Sequence, residues 1–232
     1  MKLENQEKIW AHFQNNDRDS FSGARVRLDF IVRQIKDLSL GEGSKVLNVG
    51  VGEGYLEERL HELGYQVSTV DPDGRAIARI TLKGIDAIQG RVEDLSDFPD
   101  QCFDVVVASE VLEHLSTDQL NEGLGEVSRV LKAGGHFIGT VPYKENLNDN
   151  EVACPKCSEV FHRWGHLQAF DVVDIYNALS INFSDITVKR TIWVEFLGRD
   201  TVGKVKSAIR WVLGMFGVQL AGPKIYFSAL HR

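Results

Sequence analysis

Residues 45–60 read KVLNVGVGEGYLEERL. An apolar run of strand length passes through three alternate glycines into a segment with Leu56, Leu60 and Leu63 on one helical face. A buried strand, a glycine loop and a helix in that order start a βαβ unit, in which parallel strands are covered by crossover helices. The chain continues that alternation. YQVSTVD (65–71) reads as a strand, GRAIARITLKG (74–84) as a short helix, DAIQG (86–90) as a brief strand and FDVVVAS (103–109) as a strongly apolar strand. Residues 118–131 then place Leu120, Leu124, Val127 and Leu131 on one helical side, and GGHFIGTVPY (134–143) is a further strand.

Outward from this frame, the N-terminal stretch reads as two helices, the second carried by Phe21, Ala24, Leu28, Ile31, Ile35 and Leu38. Downstream, FDVVDIYNALS (170–180) reads as a helix with Asp171 as N-cap, FSDITVKRTIWVEF (183–196) as a long strand, 202–216 as an amphipathic helix and PKIYFSALHR (223–232) as a last strand. The expected fold class is α/β: a Rossmann-like, doubly wound, mostly parallel sheet of about seven strands with helices on both faces. We expect a single domain over 1–232, with N-terminal helices in 1–40 and a lid insertion over 144–170 after the fifth strand. Ligands in such sheets sit at the carboxyl ends of the strands near the switch in strand order. That places the loops after Val49, Val70, Ala108 and Val141 around one site.

The chain has 232 residues, 43% hydrophobic and 25% charged, as a globular domain requires. A formal charge of -7 speaks against nucleic acid as a partner. MKLENQEKIW lacks the basic and apolar regions of a signal peptide. No run reaches the roughly 18 apolar residues of a transmembrane helix. Three cysteines without such a signal fit a reducing compartment, so the expected location is cytoplasmic.

Glycines at 50, 52 and 54 let a ligand approach the backbone closely. The spacing is one residue shorter than the dinucleotide fingerprint G-x-G-x-x-G, which speaks against a nicotinamide-dependent oxidoreductase. Asp71, ending the second strand, can accept hydrogen bonds from two ribose hydroxyls. With Asp71, GRVEDLSDFPDQCFDVVVASEVLEHL (90–115) and LKAGGHFIGTVPY (131–143) in this order, the chain resembles the class I S-adenosylmethionine-dependent methyltransferases over about residues 40–143. The texture is similar to the branch with quinone-ring C-methyltransferases and many sugar, lipid and natural-product enzymes. The resemblance implies S-adenosylmethionine as cofactor and a role for each matching residue. Gly50, Gly52 and Gly54 would pass under its amino-acid part and Asp71 would hold the ribose. Val92 and Glu93 would border the adenine. Ser109 and Glu110 would line the pocket. Two positions depart from the pattern: Asn48 stands where an acidic residue is usual, keeping hydrogen-bonding capacity without the charge, and Arg91 precedes the adenine loop.

The expected reaction is methyl transfer to a small molecule, at a hydroxyl of a sugar or related metabolite. A hydroxyl acceptor benefits from a base, for which His114, His162 and His166 are the candidates. His114 reads as a hydrogen-bonded structural histidine ahead of a catalytic one. The segment CPKCSEVFHRWGH (154–166) has the spacing C-x2-C-x4-H-x3-H. Cys154, Cys157, His162 and His166 can complete a tetrahedral zinc site that would order the lid. The alternatives are metal-free cysteines with lid histidines, or a knuckle for nucleic acid, which its few basic residues disfavour. A similar insertion recurs in some glycan and natural-product methyltransferases. A non-catalytic cofactor-binding or zinc-knuckle interaction module is the competing function. The last 44 residues hold eight Lys/Arg against two Asp/Glu. Val205, Ile209, Val212, Leu213 and Phe216 form an apolar helical face there, read as packing on the sheet, with a peripheral or homo-oligomer contact as the alternative.

Overall fold

The computed structural model describes residues 3–16, 24–193 and 222–232, with residues 203, 205, 206, 209 and 212 at separate helical positions. Helices α1 (Leu3–Asn16) and α2 (Arg25–Asp37) precede strand β1 (Lys45–Val49), and α3 (Tyr55–Glu62), β2 (Gln66–Asp71), α4 (Gly74–Thr81) and β3 (Asp86–Gln89) follow. Next come β4 (Phe103–Ser109), α5 (Thr117–Val130), β5 (Leu131–Pro142), the short strands β6 (Glu151–Ala153) and β7 (Val160–His162), α6 (Val172–Ser180), β8 (Phe183–Thr191) and β9 (Lys224–His231).

Seven strands form one sheet in the order β3-β2-β1-β4-β5-β9-β8. The first five are parallel; β9 runs antiparallel between β5 and β8. The order reverses between β1 and β4, so their carboxyl ends open the crevice expected of a doubly wound sheet. Two-residue alternation in β4 divides the core. Val105 and Val107 pack with Ile31, Ile35, Leu60 and Ile77 on one face, whereas Val106 and Ala108 pack with Leu124, Val127, Phe137 and Leu179 on the other. At Gly139 of β5, a Cβ would collide with the Ala108 carbonyl and the Phe227 ring, so the absent side chain lets β9 close onto β5.

Helix α6 begins at Asp171 as expected, with a capping box in which the Asp171 side chain accepts from Val173 and Asp174 amides. Strand β5 starts at Leu131, three residues before the expected run. The insertion folds as a β6–β7 hairpin, which periodicity did not predict because each strand has three residues. A parallel bridge between Tyr143 and Phe170, with the Lys144 amide donating to the Phe170 carbonyl, pinches together the ends of 144–170. Of the C-terminal apolar face, Val205, Ile209 and Val212 are helical and exposed, so at these positions the expected packing on the sheet is not found. Leu213 and Phe216 lie outside the described residues. Among the described residues no helix is long and apolar enough to cross a membrane.

Candidate functional site

A cavity of about 440 Å³ opens at the carboxyl ends of β1, β2 and β4, within the range of small-molecule sites. Its floor is the loop after β1, where Gly50 adopts φ +88 and Gly52 φ +54, backbone that residues with a Cβ rarely take. Asp71 pulls this loop onto the end of β2: its carboxylate accepts from the Val51 amide at 2.8 Å and the Asp73 amide at 2.8 Å. Burial pushes the Asp71 carboxyl up while these amides pull it down.

Helix α1 roofs the cavity. Gln6, Trp10 and Gln14 recur at four-residue spacing and share one face. Gln6 donates to the carbonyls of His114 and Gly165 at 2.7 and 2.6 Å, the Trp10 indole meets His114 Nδ1 at 3.2 Å, and Gln14 Nε2 donates to Asp71 at 2.9 Å. Gln14 Oε1 is buried without a partner beside Asp71, where an added hydroxyl would find an acceptor. This orphaned atom, the left-handed glycines and the carboxylate at the end of β2 fit a ribose-bearing, nucleoside-type cofactor.

Asn48 lines the same cavity and donates through Nδ2 to the Gly50 carbonyl at 2.8 Å and to Glu57 Oε1 at 2.7 Å. Its Oδ1 takes no part in these two bonds. An acidic side chain stands instead on α3, in the fully buried Glu57, which also accepts from Thr69 at 3.0 Å. Burial raises the Glu57 carboxyl to about 7 from the usual 4.5. Such a group holds its proton in the fold while the unfolded chain has lost it. Stability from this site is therefore present below pH 4.5 and declines as pH rises to about 7. The span of about 2.5 pKa units corresponds to roughly 3 kcal/mol at most. Glu57→Gln keeps the acceptor for Asn48 and Thr69, so thermal unfolding should show it stabilised at pH 8 and nearly unchanged at pH 4. An equal shift at both pH values would mean that buried charge is not the cause.

The far wall is polar. Glu110, at φ +59, is bracketed by Lys224 from β9 and by Arg27 from α2. Burial alone would raise Glu110, but these two cations and Thr140 outweigh it and hold the carboxyl at about 2. Arg27 also donates to Ser109 Oγ at 3.0 Å, and Ser109 meets Thr140 at 2.9 Å. Glu113 is fully buried, with neither carboxyl oxygen bonded; burial, then the Glu110 charge, raise it far above the carboxylate range.

The three candidate histidines meet at this end. His162 and His166 stack with ring centres 4.5 Å apart, and His114 lies edge-on to His166 at 4.7 Å. They differ in state. Burial and the neighbouring His166 depress His114 to about 3, too weak a base to take a hydroxyl proton at neutral pH. His162 is lowered by burial and does not line the cavity. Its Nδ1 accepts from the His166 amide at 3.1 Å, which leaves its proton on Nε2, 3.4 Å from Glu145 Oε1. His166 lines the cavity and bonds through Nδ1 to Glu145 Oε2 at 2.5 Å. Burial pushes Glu145 up, but the His166 bond and charge outweigh it and keep the carboxylate ionised. Nε2 of His166 is thus the nitrogen available to an acceptor.

The four expected zinc ligands are not brought together. Among the described residues, the ligand atoms within mutual reach form two groups, Glu113–His114–His166 and Glu145–His162–His166, and neither includes a cysteine. Cys154 and Cys157 lie in the β6–β7 turn, Cys157 exposed. The register pairs Glu151 with His162, which sets His162 about 10 Å along the strands from Cys154, at about 3.3 Å per residue. His162 also lacks a free lone pair while it accepts the His166 amide. The strand direction, invisible in the spacing, separates the set.

All the expected cofactor residues line the cavity except Gly54, whose left-handed backbone caps α3 and whose Cβ would collide with Ile80. Sequence reasoning missed Gln14, Glu57, Glu145 and Lys224. Gln14 had a signal in the four-residue repeat Gln6, Trp10, Gln14; Lys224 had none, because it reaches Glu110 across 114 residues of chain.

Residues 47–139 match a protein-family model described as "Methyltransferase domain". Over 110 residues the chain is 37% identical to a ubiquinone biosynthesis O-methyltransferase of Bradyrhizobium sp. (strain ORS 278), covering 46% of this chain and 43% of that one. It spans about half the length of the curated relatives it matches. In structure it is similar to a protein of Pyrococcus horikoshii OT3 (TM-score 0.65, 18% identity, 100% of both chains). It is also similar to the N-methyltransferase NodS of Bradyrhizobium japonicum WM9, solved with S-adenosyl-L-homocysteine (TM-score 0.62, 17% identity, 98% and 97% covered). At these identities the two structures speak for the fold alone. Residues 47–139 thus resemble a methyltransferase domain and lie in a Rossmann-like sheet, the fold that the sequence led us to expect.

Proposed function

We propose that this chain transfers a methyl group from S-adenosylmethionine to a hydroxyl of a small, ring-bearing metabolite. The carrying observation is that one cavity holds both the Asp71–Gln14 end and the Glu145-bound His166. Bound there, S-adenosylmethionine supplies an electrophilic sulfonium methyl. Asp71 and Gln14 Oε1 would hold the ribose hydroxyls, Asn48 Oδ1 would accept from the ammonium, and Gly50 and Gly52 would let the backbone approach. His166 Nε2 takes the acceptor's hydroxyl proton. The cofactor would supply the methyl group, and the acceptor's proton would remain on a His166 imidazolium paired with Glu145. Trp10, Phe13 and Trp164 line the cavity and offer faces to a ring. A hydroxyl acceptor is supported by the O-methyltransferase relatives, and a sugar or related ring by the aromatic lining. A cytoplasmic setting is supported by free thiols at 102, 154 and 157.

Calorimetry with S-adenosylhomocysteine, then turnover on a panel of sugars and phenolic rings, tests this reading. Cofactor binding without turnover on any hydroxyl would favour the non-catalytic module; binding of a nicotinamide cofactor instead would overturn the assignment. Gln14→Ala should weaken S-adenosylhomocysteine binding by about three- to tenfold, the share of one hydrogen bond near 1 kcal/mol. An unaltered Kd would remove Gln14 from the ribose site.

A further inference from the structure

Two carbonyls at the histidine end of the cavity share one donor. Residues 165–168 of the lid dock on residues 113–115. The amides of Leu167 and Gln168 donate to the Glu113 carbonyl at 2.8 and 3.1 Å, and the Gln168 side chain donates to the Leu115 carbonyl at 2.7 Å. The His114 and Gly165 carbonyls instead both accept from Nε2 of Gln6, at 2.7 and 2.6 Å. His114 Nδ1 also lies 3.3 Å from the Gly165 carbonyl. It accepts from the Trp10 indole, which can only donate, and so has no proton to give. Both N–H bonds of the Gln6 amide are thus spent on joining the turn before His166 to the turn that carries His114.

Helix α1 reaches both ends of the cavity. Gln6 and Gln14 are eight residues apart in it, about 12 Å along a helix axis, and Gln14 donates to Asp71 at 2.9 Å. The attachment of this helix is polar. Among the described side chains of α1 the buried ones are Gln6 and Gln14, and none belongs to either apolar core cluster. Glu7 pairs with Arg91 and Asn15 donates to Asp73, which adds further polar ties. Apolar burial resists exposure to water, whereas hydrogen bonds exchange for bonds to water at small net cost. Such a helix can lift from the cavity without opening the core. Lifting it withdraws the shared donor from Gly165, one residue before His166.

The geometry points to α1 as a coupler of the two ends of the site: a cofactor ribose held by Gln14 keeps the helix down, and Gln6 then fixes the Gly165 turn and with it His166. Gln6 is a positioning residue in this scheme and touches neither reactant. The inference rests on the ribose lying at Asp71 and Gln14.

Hydrogen exchange reads the coupling without an acceptor. The Gly165 amide is bonded to the His162 carbonyl and the Leu167 and Gln168 amides to that of Glu113, so their exchange reports opening of this turn. In the full chain, saturating S-adenosylhomocysteine should slow these three amides about tenfold, an ordinary coupling between two sites. Gln6→Met keeps the length of the side chain and removes its N–H groups. It should still bind S-adenosylhomocysteine, with the slowing at 165–168 reduced to less than about twofold and the amides of β1 and β4 protected as in wild type. Gln14→Ala, saturated with the same ligand, should lose the slowing from the other end of the helix, and it carries the test should Gln6→Met fail to fold. Equal slowing in wild type and in the variant, or none in wild type with the ligand bound, would overturn the inference. A wild-type chain that binds no S-adenosylhomocysteine would instead remove the cofactor reading, and the coupling would fall with it.

Discussion

Asp71→Ala should cost this protein its cofactor site. The carboxylate holds three protein donors, the amides of Val51 and Asp73 and the Gln14 side chain. It is also the acceptor proposed for the ribose. Hydrogen bonds to a charged group are worth about 1.5–3 kcal/mol each. Loss of two from the cofactor puts the expected rise in the Kd for S-adenosylhomocysteine at roughly a hundredfold or more. The Val51 amide of the glycine loop loses its anchor as well, so the pocket should lose its shape along with its charge. Asp71→Asn keeps one acceptor and should fall between wild type and alanine. Calorimetry on variants whose melting temperatures show them folded separates binding from stability. A folded Asp71→Ala chain with wild-type affinity would mean that the ribose lies elsewhere.

His166→Ala should lower turnover by about 10²- to 10⁴-fold, the contribution of a positioned base, with S-adenosylhomocysteine affinity changed less than twofold. Glu145→Gln should produce a smaller fall in kcat, because the amide retains a contact to Nδ1 but no longer stabilises an imidazolium. It should leave KM for the acceptor nearly constant, which separates positioning from a loss of packing. His162→Gln is the contrasting case. It lies behind His166, outside the cavity, and should change stability more than kcat. These rates are read once an acceptor has been found on the hydroxyl panel. If His166→Ala retained turnover within threefold of wild type, the base would have to be sought elsewhere around the cavity.

Much of this architecture was legible in the amino-acid order because it rests on local rules. The run of residues 45–60 sets a buried strand, a tight turn and an amphipathic helix within sixteen positions, and each later unit repeats that pattern. The placement of ligands at the carboxyl ends of parallel strands then follows from the handed crossovers, so the loops after Val49, Val70, Ala108 and Val141 could be assigned to one crevice without coordinates, and the first three do line it. What the order of residues could not state was which side chains meet across distant elements. Spacing alone joined Cys154 and Cys157 with His162 and His166. The hairpin register sends the cysteines to its turn and the histidines to its base, because a β-strand advances about 3.3 Å per residue. The setting of Asn48 was likewise hidden: the buried carboxyl of Glu57 arrives from the following helix and is held by Asn48 and by Thr69 of a neighbouring strand. Three histidines were equal candidates by type. Burial at His114, a backbone amide on the His162 ring and the Glu145 carboxylate on the His166 ring made them unequal, and only packing creates such surroundings.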